Sequence, residues 1–173
     1  MARTFERIAT TTTTTSTASV EFTNISGAYK DLHISINASN ANNASTYLYL
    51  RANGQTGSTD YYTVRLFNIS TYDGDEWGQD TRSANELDVG YMPGTNGSGY
   101  GHMIINLFNY SDTNMKKVLA VDWNSEPAAT GTRYALIESG SLNVSGAVTS
   151  LLFAFSGANI ASGSTFTLYG IAE

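Results

Sequence analysis

Four carboxylates close to one tryptophan form the densest group of chemically active side chains in the sequence. Asp73, Asp75, Glu76 and Asp80 flank Trp77 in the stretch YDGDEWGQD. Proteins bind calcium through carboxylate and backbone oxygens, so these four acids are a candidate calcium site. Their spacing does not match the twelve-residue loop of helical-hairpin calcium sites, and a solvated acidic loop is the simpler interpretation. We predict no cofactor.

Aromatic residues in the same stretch allow a third interpretation. Trp77 and Tyr72 could contact carbohydrate, because aromatic rings combine a large apolar face with a polar edge. Hydrolysis of a glycan would need two carboxylates that face each other across a cleft. The chain has fifteen acidic residues and therefore many possible pairs, so no particular pair is indicated.

The other residues that commonly carry catalysis have simpler explanations. His33 lies on the polar side of an alternating stretch and His102 begins another, and both positions are typical of ordinary strand histidines. No Gly-x-Ser-x-Gly nucleophile motif precedes a helical pattern, and the sequence has no glycine-rich phosphate-binding motif. We therefore predict that the protein is not an enzyme.

The composition limits the class of protein and its partners. A chain of 173 residues suits one domain, which buries about 70% of the surface of its unfolded chain. The absence of cysteine excludes disulfides and thiolate zinc sites. The net charge of -6 argues against nucleic acid as a partner, and no apolar stretch is long enough to span a membrane. The first twenty residues lack the apolar segment of a secretory signal, so we expect the protein to be completed in a cytoplasm.

Alternation of apolar and polar residues with a period of two predicts the elements that position these side chains. The stretch LHISINAS is the clearest case, and YLYLRA repeats the pattern. In YYTVRLF the alternation places Tyr62, Val64 and Leu66 on an apolar face, which we expect to be buried, and Thr63 and Arg65 on the opposite face. No segment has helical periodicity. We predict an all-β fold with little or no helix, an antiparallel β-sandwich with a jelly-roll-like Greek key.

Two segments depart from this alternation. Residues 1–17 are rich in threonine, which favours extended backbone but offers little apolar area, so they should form an extended arm or an edge strand. Residues 18–173 should form a single β-sandwich domain. Within it, residues 70–101 show little strand pattern and are predicted to form a long loop, of a kind that often binds ligands.

Two further stretches predict how the sheets are covered and closed. MIINLFNY is apolar on both faces, which indicates a central strand that is covered on both sides, on one of them by a neighbouring subunit. In the last stretch, STFTLYGI, Phe166 and Leu168 share a face and should close the hydrophobic interior. The final strand is therefore predicted to be needed for folding.

Tyrosine is frequent, with eleven residues in the chain. A tyrosine side chain offers apolar area with a polar tip, so several tyrosines together could line a sugar-binding groove or a protein interface. The simpler interpretation is that tyrosine suits the half-exposed faces of strands. The tyrosines concerned are Tyr47, Tyr49, Tyr61, Tyr62, Tyr91, Tyr100 and Tyr134.

Four stretches of the chain resemble, in the same order, the small β-sandwich structural proteins of tailed bacteriophages, which include capsid decoration or cement proteins and relatives in head or tail fibres. The stretches are VEFTNISGAYKDLHISINA, LYLRANGQTGSTDYYTVRLF, MIINLFNYSDTNMKKVLAV and TSLLFAFSGANIASGSTFTLYGI. The resemblance covers most of the chain, from Ser19 to Ile171. Its most specific elements are the G-x-Y-x-x-L-x-I motif that begins at Gly27, the N-G-x-x-G motif at Asn53 and the closing S-x-F-x-L-Y-G-I motif.

The resemblance implies a jelly-roll-like fold, a place in the virion and assembly in the host cytoplasm, and it supplies no catalytic residues. We accordingly expect a decoration or cement protein that binds the assembled capsid lattice, through the major capsid protein or other virion proteins, and stabilises it. The expected state is a small homo-oligomer, with a trimer favoured. Arg3, Phe5 and Arg7 are the candidate capsid contacts, since the N-terminal arm could add a strand to the open edge of a neighbour.

Two alternatives stay open. The first is a module of a head or tail fibre that adheres to glycan on the host surface through Tyr72 and Trp77. The second is a structural spacer within a tail or baseplate. Binding of the isolated domain to host polysaccharide would favour the first alternative, whereas binding only to mature capsids would favour decoration.

Overall fold

The structure is a computed structural model of the chain, and it describes residues 4–57, 59–71, 74–94, 99–125, 133–144 and 146–172. For residues 67, 69–71, 74–77, 79–84 and 133 it describes the backbone alone. Within these ranges every regular element is a strand, and no helix is long and apolar enough to cross a membrane. The strands are β1 Thr4–Thr12, β2 Ser19–Phe22, β3 Asp31–Ala38, β4 Thr46–Ala52, β5 Tyr61–Thr71, β6 Gly74–Ala84, β7 Leu87–Met92, β8 Gly101–Phe108, β9 Lys117–Ser125, β10 Arg133–Leu142, β11 Leu151–Phe155 and β12 Thr165–Ala172.

The strands form two antiparallel sheets that pack as a sandwich. The large sheet has eight strands in the order β1-β12-β3-β8-β9-β10-β5-β6, and the small sheet has four in the order β2-β11-β4-β7. Every neighbouring pair of strands is antiparallel. The predicted antiparallel β-sandwich is confirmed.

The strand order is that of a jelly roll with additions. The eight strands of a jelly roll, lettered B to I along the chain, lie in two sheets of order B-I-D-G and C-H-E-F. Here β2, β11, β4 and β7 take the places of B, I, D and G, while β3, β5 and β6 take those of C, E and F. The meander β8-β9-β10 occupies the place of the single strand H. The pair β1 and β12 extends the large sheet beyond β3.

Alternation along each strand places one side of each sheet in a shared core. In β3, Leu32, Ile34 and Ile36 are fully buried and His33 is half-buried, as the pattern LHISINAS predicts. Burying one aliphatic side chain of this size stabilises a protein by about 1.5–3 kcal/mol relative to leaving it exposed. The core between the two sheets is therefore the main source of stability.

The final strand closes this core from inside the sheet. Phe166 and Leu168 are fully buried, which confirms the expectation for STFTLYGI. The strand that carries them, β12, pairs with β1 on one side and with β3 on the other, so it is an inner strand of the large sheet. Removal of β12 would leave β1 without its partner and would expose the edge of β3.

The predicted loop at residues 70–101 is wrong, because the segment contains β6 and β7. The backbone of β6 pairs with β5 from Gly74 to Ala84, and its sequence GDEWGQDTRSA has too few apolar residues to show an alternating pattern. In β7 the period of two is interrupted by a register shift against β4. Leu87 and Val89 follow one phase, and Met92 is buried in the other.

The described part of the N-terminal segment begins with an edge strand. Residues 4–12 are a strand, β1, at the edge of the large sheet, where they pair with β12 as far as Thr12. Thr13 continues this attachment, since its backbone N–H donates to the carbonyl of Ser164 at 2.9 Å.

In β8, Met103 is fully buried while Ile104 is half-buried, so one face of MIINLFNY is covered by the core. Cover of its other face by a neighbouring subunit stays a prediction.

Candidate interaction surface

Strands β5 and β10 turn apolar side chains outward. In β5, Tyr62, Val64 and Leu66 are exposed by 51%, 54% and 61%, and in β10 Ile137 is exposed by 67%. Val118 in the adjoining β9 is exposed by 42%. These five residues lie on the side of the large sheet that faces away from the core, and we call them the outer apolar face. The expectation that the apolar side of YYTVRLF is buried is therefore wrong.

The physical reason is an ion pair on the inner side of the same strands. Arg65 and Glu138 lie opposite each other in the β5–β10 ladder, and both are buried. Arg65 Nε donates to Glu138 Oε2 at 2.9 Å, and Arg65 Nη2 donates to the backbone carbonyl of Asp88 in β7 at 2.6 Å. Since neighbouring residues of a strand point to opposite faces, burial of Arg65 turns Val64 and Leu66 outward.

Other polar side chains accompany this pair inside the sandwich. Lys117 at the start of β9 is fully buried, and its Nζ donates to the backbone carbonyls of Met115 and Val144, each at 3.2 Å. Thr63, two residues before Arg65, is also buried. The inner side of β9, β10 and β5 thus holds polar groups at several positions where the rest of the core is aliphatic. The sequence does not indicate these inward polar residues, because the alternation of β5 is compatible with either orientation of the strand.

The strand register gathers the outer apolar face into one patch. Leu66 of β5 lies opposite Ile137 of β10, and Tyr62 lies opposite Ser141, which in turn lies opposite Val118 of β9. Opposite residues on one face of an antiparallel pair have Cβ atoms about 5 Å apart. The five apolar side chains are therefore near neighbours on one surface.

Half-buried side chains of β8 extend this patch. Ile104 and Phe108 lie on the same side of the sheet, and Phe108 is in register with Val118. Strands are about 4.8 Å apart and same-face residues are about 6.8 Å apart along a strand, so four strands and three positions cover about 400 Å². Four of these twelve positions are polar, namely Asn106, Asp122, Ser139 and Ser141, so the apolar part is about 270 Å². Single proteins rarely expose apolar patches larger than a few hundred Å², so this patch is near the upper end of the ordinary range.

The patch carries little charge. Among the outward side chains that the structure describes on β8, β9, β10 and β5, Asp122 is the one with a formal charge. It is exposed in β9 and lies opposite both Ile104 and Ile137. Depletion of charge is typical of the centre of a protein interface. A flat, apolar and nearly uncharged surface is suited to contact with another protein.

The candidate capsid contacts of the N-terminal segment lie at the β1 edge of the same sheet. Phe5 in β1 is exposed, and its ring packs edge-on against His33 and Tyr169, with centroid distances of 5.2 and 6.4 Å. Arg7, in the same strand, is also exposed. Three strand spacings, about 14 Å along the sheet, separate β1 from β8. Phe5 and Arg7 therefore lie beside the outer apolar face on the same side of the sheet, and Arg3 lies outside the described residues.

The acidic and aromatic candidates between residues 72 and 80 are not brought together by any described contact. Tyr72 and Asp73 lie outside the described residues. The other candidates are in β6, of which the structure describes the backbone, and these are Asp75, Glu76, Trp77 and Asp80. The description of them as loop residues is wrong, because they pair with β5. No group of three or more potential metal ligands occurs in the described part of the chain. Calcium binding and glycan contact at these residues stay predictions.

Three of the tyrosines considered above form a cluster where β7 approaches β10. The ring centroids of Tyr47 and Tyr91 are 5.0 Å apart, and those of Tyr91 and Tyr134 are 5.2 Å apart. Trp123 stacks on Tyr134 at 6.1 Å, and the Arg65 guanidinium lies 5.5 Å from the centre of the Tyr47 ring. Burial, followed by the neighbouring phenols, raises the pKa of Tyr134. The cluster joins the edge of the small sheet to β9, β10 and β5 of the large sheet.

The remaining tyrosines of that set are dispersed. Tyr61 is buried, donates from its hydroxyl to the carbonyl of Gln55 at 3.0 Å, and has its pKa raised chiefly by burial. Tyr62 lies on the outer apolar face. Tyr100 is exposed and its hydroxyl donates to the carbonyl of Ser162 at 3.3 Å. The structure thus gives these residues several different roles.

The two histidines occupy strand positions. His33 Nδ1 lies 2.8 Å from Asn106 Oδ1 in the neighbouring strand β8, and His102 is half-buried at the start of β8.

No protein-family model, no curated protein and no solved structure matches the chain. The resemblance to phage structural proteins and the expectation that the protein is not an enzyme therefore stay predictions.

Proposed function

We propose that the protein is a phage virion structural protein, a decoration or cement protein that binds the assembled capsid lattice and stabilises it. The observation that carries the proposal is the outer apolar face, where Val64, Leu66 and Ile137 are each more than half exposed. The resemblance of the sequence to small β-sandwich virion proteins supports the same assignment. The partners are the major capsid protein or other virion proteins, and the expected state is a small homo-oligomer, with a trimer favoured.

The size of the outer apolar face favours a lattice over a single subunit as the partner. The five side chains are already about half buried, so covering the rest of them contributes about 4–8 kcal/mol. Association of two proteins costs about 4–15 kcal/mol in lost translational and rotational freedom. The two ranges overlap, and the apolar part of the patch covers about a third of the 800 Å² that each partner of a standard interface buries. One copy on one subunit would therefore bind weakly.

A lattice changes this balance, because several copies of an oligomer bind it at once. Linked binding events raise the overall affinity by about 10²–10⁴ when the geometry allows simultaneous contact. Anything that binds the assembled state and not the loose subunits stabilises assembly. A small homo-oligomer with one outer apolar face per subunit would thus decorate finished capsids and strengthen them.

The edge strand β1 is a second candidate contact. An edge strand presents unpaired backbone N–H and C=O groups to which a neighbouring chain can add a strand. In this protein β1 is already attached to β12, so its contribution would come from its outer edge and from the exposed side chains of Phe5 and Arg7. Deletion of the whole segment would also expose β12. Point substitutions of Phe5 and Arg7 are therefore the better test of this contact.

Sedimentation with purified components tests the proposed function. The protein is mixed with undecorated capsids, with unassembled capsid subunits and with host envelope fractions, and the pellet is analysed for bound protein. We expect saturable binding to capsids and little binding to loose subunits. Capsids with bound protein should also resist heat or chelation better than bare capsids. Binding to envelope fractions, with none to capsids, would contradict decoration and would favour the fibre alternative.

A further inference from the structure

A cavity lies on the outer surface of the small sheet, on the other side of the sandwich from the outer apolar face. Its volume is about 580 Å³, and it is formed where the connections before β2, before β4 and after β11 meet. Its floor is Ala154 of β11, and Tyr49 of β4 borders it. We call it the Tyr49 cavity. It is an open depression, since half of its lining residues are exposed, so a ligand bound there would keep one side in water.

The floor and one wall follow from the strand register. Ala154 lies opposite Ser19 of β2 on one side and opposite Tyr49 on the other. A single methyl group beside a large ring leaves a depression in the sheet surface. The Arg51 guanidinium lies over the Tyr49 ring at 4.9 Å and is held by Glu86, with Nη2 and Oε2 2.6 Å apart. Tyr49 lines the cavity, whereas Arg51 does not.

The other walls are fixed by buried hydrogen bonds. Asn40 is fully buried and its side-chain amide donates to the carbonyls of Ala44 and Pro93 at 3.0 and 3.1 Å. Ile160 and Thr17 exchange two backbone hydrogen bonds of 2.7 and 3.0 Å. These contacts anchor the segments that border the cavity before they meet any ligand. A site that is formed in advance does not lose binding free energy to ordering its loops.

The chemistry of the lining indicates the class of ligand. The described residues that line the cavity carry no formal charge, and the polar ones are Ser16, Asn42, Tyr49 and Asn159. The absence of a lining cation disfavours phosphate or carboxylate ligands, which are recognised by charge-assisted hydrogen bonds. A purely apolar ligand would remove the amide and hydroxyl groups from water without replacing their hydrogen bonds.

We propose that the Tyr49 cavity binds a neutral carbohydrate of one or two pyranose rings. A sugar ring has an apolar C–H face that suits the Tyr49 ring, and hydroxyl groups that suit the amides of Asn42 and Asn159. The site does not depend on the proposed decoration function. Its orientation does, because the outer surfaces of two packed sheets face in opposite directions. A copy bound to a capsid through the outer apolar face would present the Tyr49 cavity to the medium.

Saturation-transfer NMR with defined sugars tests the proposal. The probes are glucose, galactose, mannose, N-acetylglucosamine, maltose and lactose, with glucose 6-phosphate and N-acetylneuraminic acid as charged comparators. We expect transfer to the ring protons of at least one neutral sugar, with a dissociation constant on the order of 1 mM. No transfer from any neutral sugar at about 10 mM would overturn the proposal. Tighter binding of a charged comparator would overturn it as well.

Variants then locate the binding. Tyr49→Ala should weaken it at least tenfold, and Ala154→Leu, which fills the floor while keeping the tyrosine, should abolish it. Tyr62→Ala is the matched control, since Tyr62 is an exposed strand tyrosine on the other sheet, and its binding should equal that of the wild type. Thermal melts confirm that each variant is folded. Unchanged binding in both Tyr49→Ala and Ala154→Leu would place the sugar elsewhere and contradict the assignment.

Discussion

The two halves of the large sheet use the same alternation in opposite ways. One row of residues crosses the sheet from β12 to β5. In β12, β3 and β8 this row consists of Leu168, Ile34 and Ile105, which are fully buried in the core. In β10 and β5 the same row continues with Glu138 and Arg65, which are also buried. Tyr61, Leu136 and Leu142 of these strands still face the core, whereas Val64, Leu66 and Ile137 beside the ion pair point outward.

In this sheet an inward ion pair fixes the orientation of a strand as aliphatic residues do elsewhere, and the cost is that apolar side chains are exposed on the outer side. Removing each ion from water costs several kcal/mol, and exposing a leucine or isoleucine forgoes about 1.5–3 kcal/mol. Both costs are unfavourable for an isolated chain. If the outer apolar face is buried against a partner, the cost of exposing its leucine and isoleucine is recovered.

The largest expected effect comes from breaking the ion pair. Arg65→Met should lower the free energy of unfolding by about 3–5 kcal/mol, because Glu138 would stay buried without the guanidinium. Urea denaturation measures the change. The double variant Arg65→Met with Glu138→Leu removes both charges and should recover most of the loss. A loss of less than about 1 kcal/mol in the single variant would mean that the ion pair does not hold β5 and β10 in their observed orientation.

A matched pair of leucines compares the two halves directly. Leu168→Ala should lower the free energy of unfolding by about 2–5 kcal/mol, since it removes fully buried methyl groups and leaves a cavity. Leu66→Ala should change it by about 0.5 kcal/mol or less, because Leu66 is exposed. Both values come from denaturation of the isolated protein. Similar losses in the two variants would show that Leu66 is packed in solution.

Titration at alkaline pH, with a smaller expected effect, tests the burial of two tyrosines in β5 and β10. Burial raises the pKa of Tyr61 in β5 and of Tyr134 in β10. Above the ordinary tyrosine pKa of about 10, the unfolded chain loses these protons before the folded protein does, so stability falls as pH rises through the folded pKa. Absorbance of tyrosinate at alkaline pH should therefore lag behind that of urea-unfolded protein. Tyr134→Phe should reduce the lag, and coincident titration curves would contradict the burial of these hydroxyls.

The sequence predicts well the half of the large sheet that contains β12, β3 and β8. In β3 and β12 the alternation, the buried face and the closing role of Phe166 follow from the residues alone. In β5 the pattern predicts the strand correctly but the wrong face, because a period of two does not say which side is inward. The deciding information is Glu138, more than seventy residues later, which lies opposite Arg65 only once β5 and β10 are paired.

Features that depend on distant segments could not be predicted. Strand β6 is specified by backbone pairing with β5, and β7 is obscured by its register shift, so both were assigned to a loop. The Tyr49 cavity combines three connections that are far apart in the chain. Tyr49 was among the candidate sugar-binding tyrosines, but the small floor residue Ala154 gives no signal in the sequence. Tyr72 lies outside the described residues and Trp77 is described by its backbone alone, so sugar contact through these two residues stays a prediction.

Capsid binding by a variant of the outer apolar face tests whether this face makes the contact with the capsid. Leu66→Thr combined with Ile137→Thr removes apolar area and places a β-branched residue, which suits a strand, at both positions. The control is Met115→Thr, since Met115 is equally exposed but lies in the turn between β8 and β9. In sedimentation with undecorated capsids we expect at least a tenfold loss of affinity for the double variant and none for the control. Wild-type affinity of the folded double variant would contradict the account.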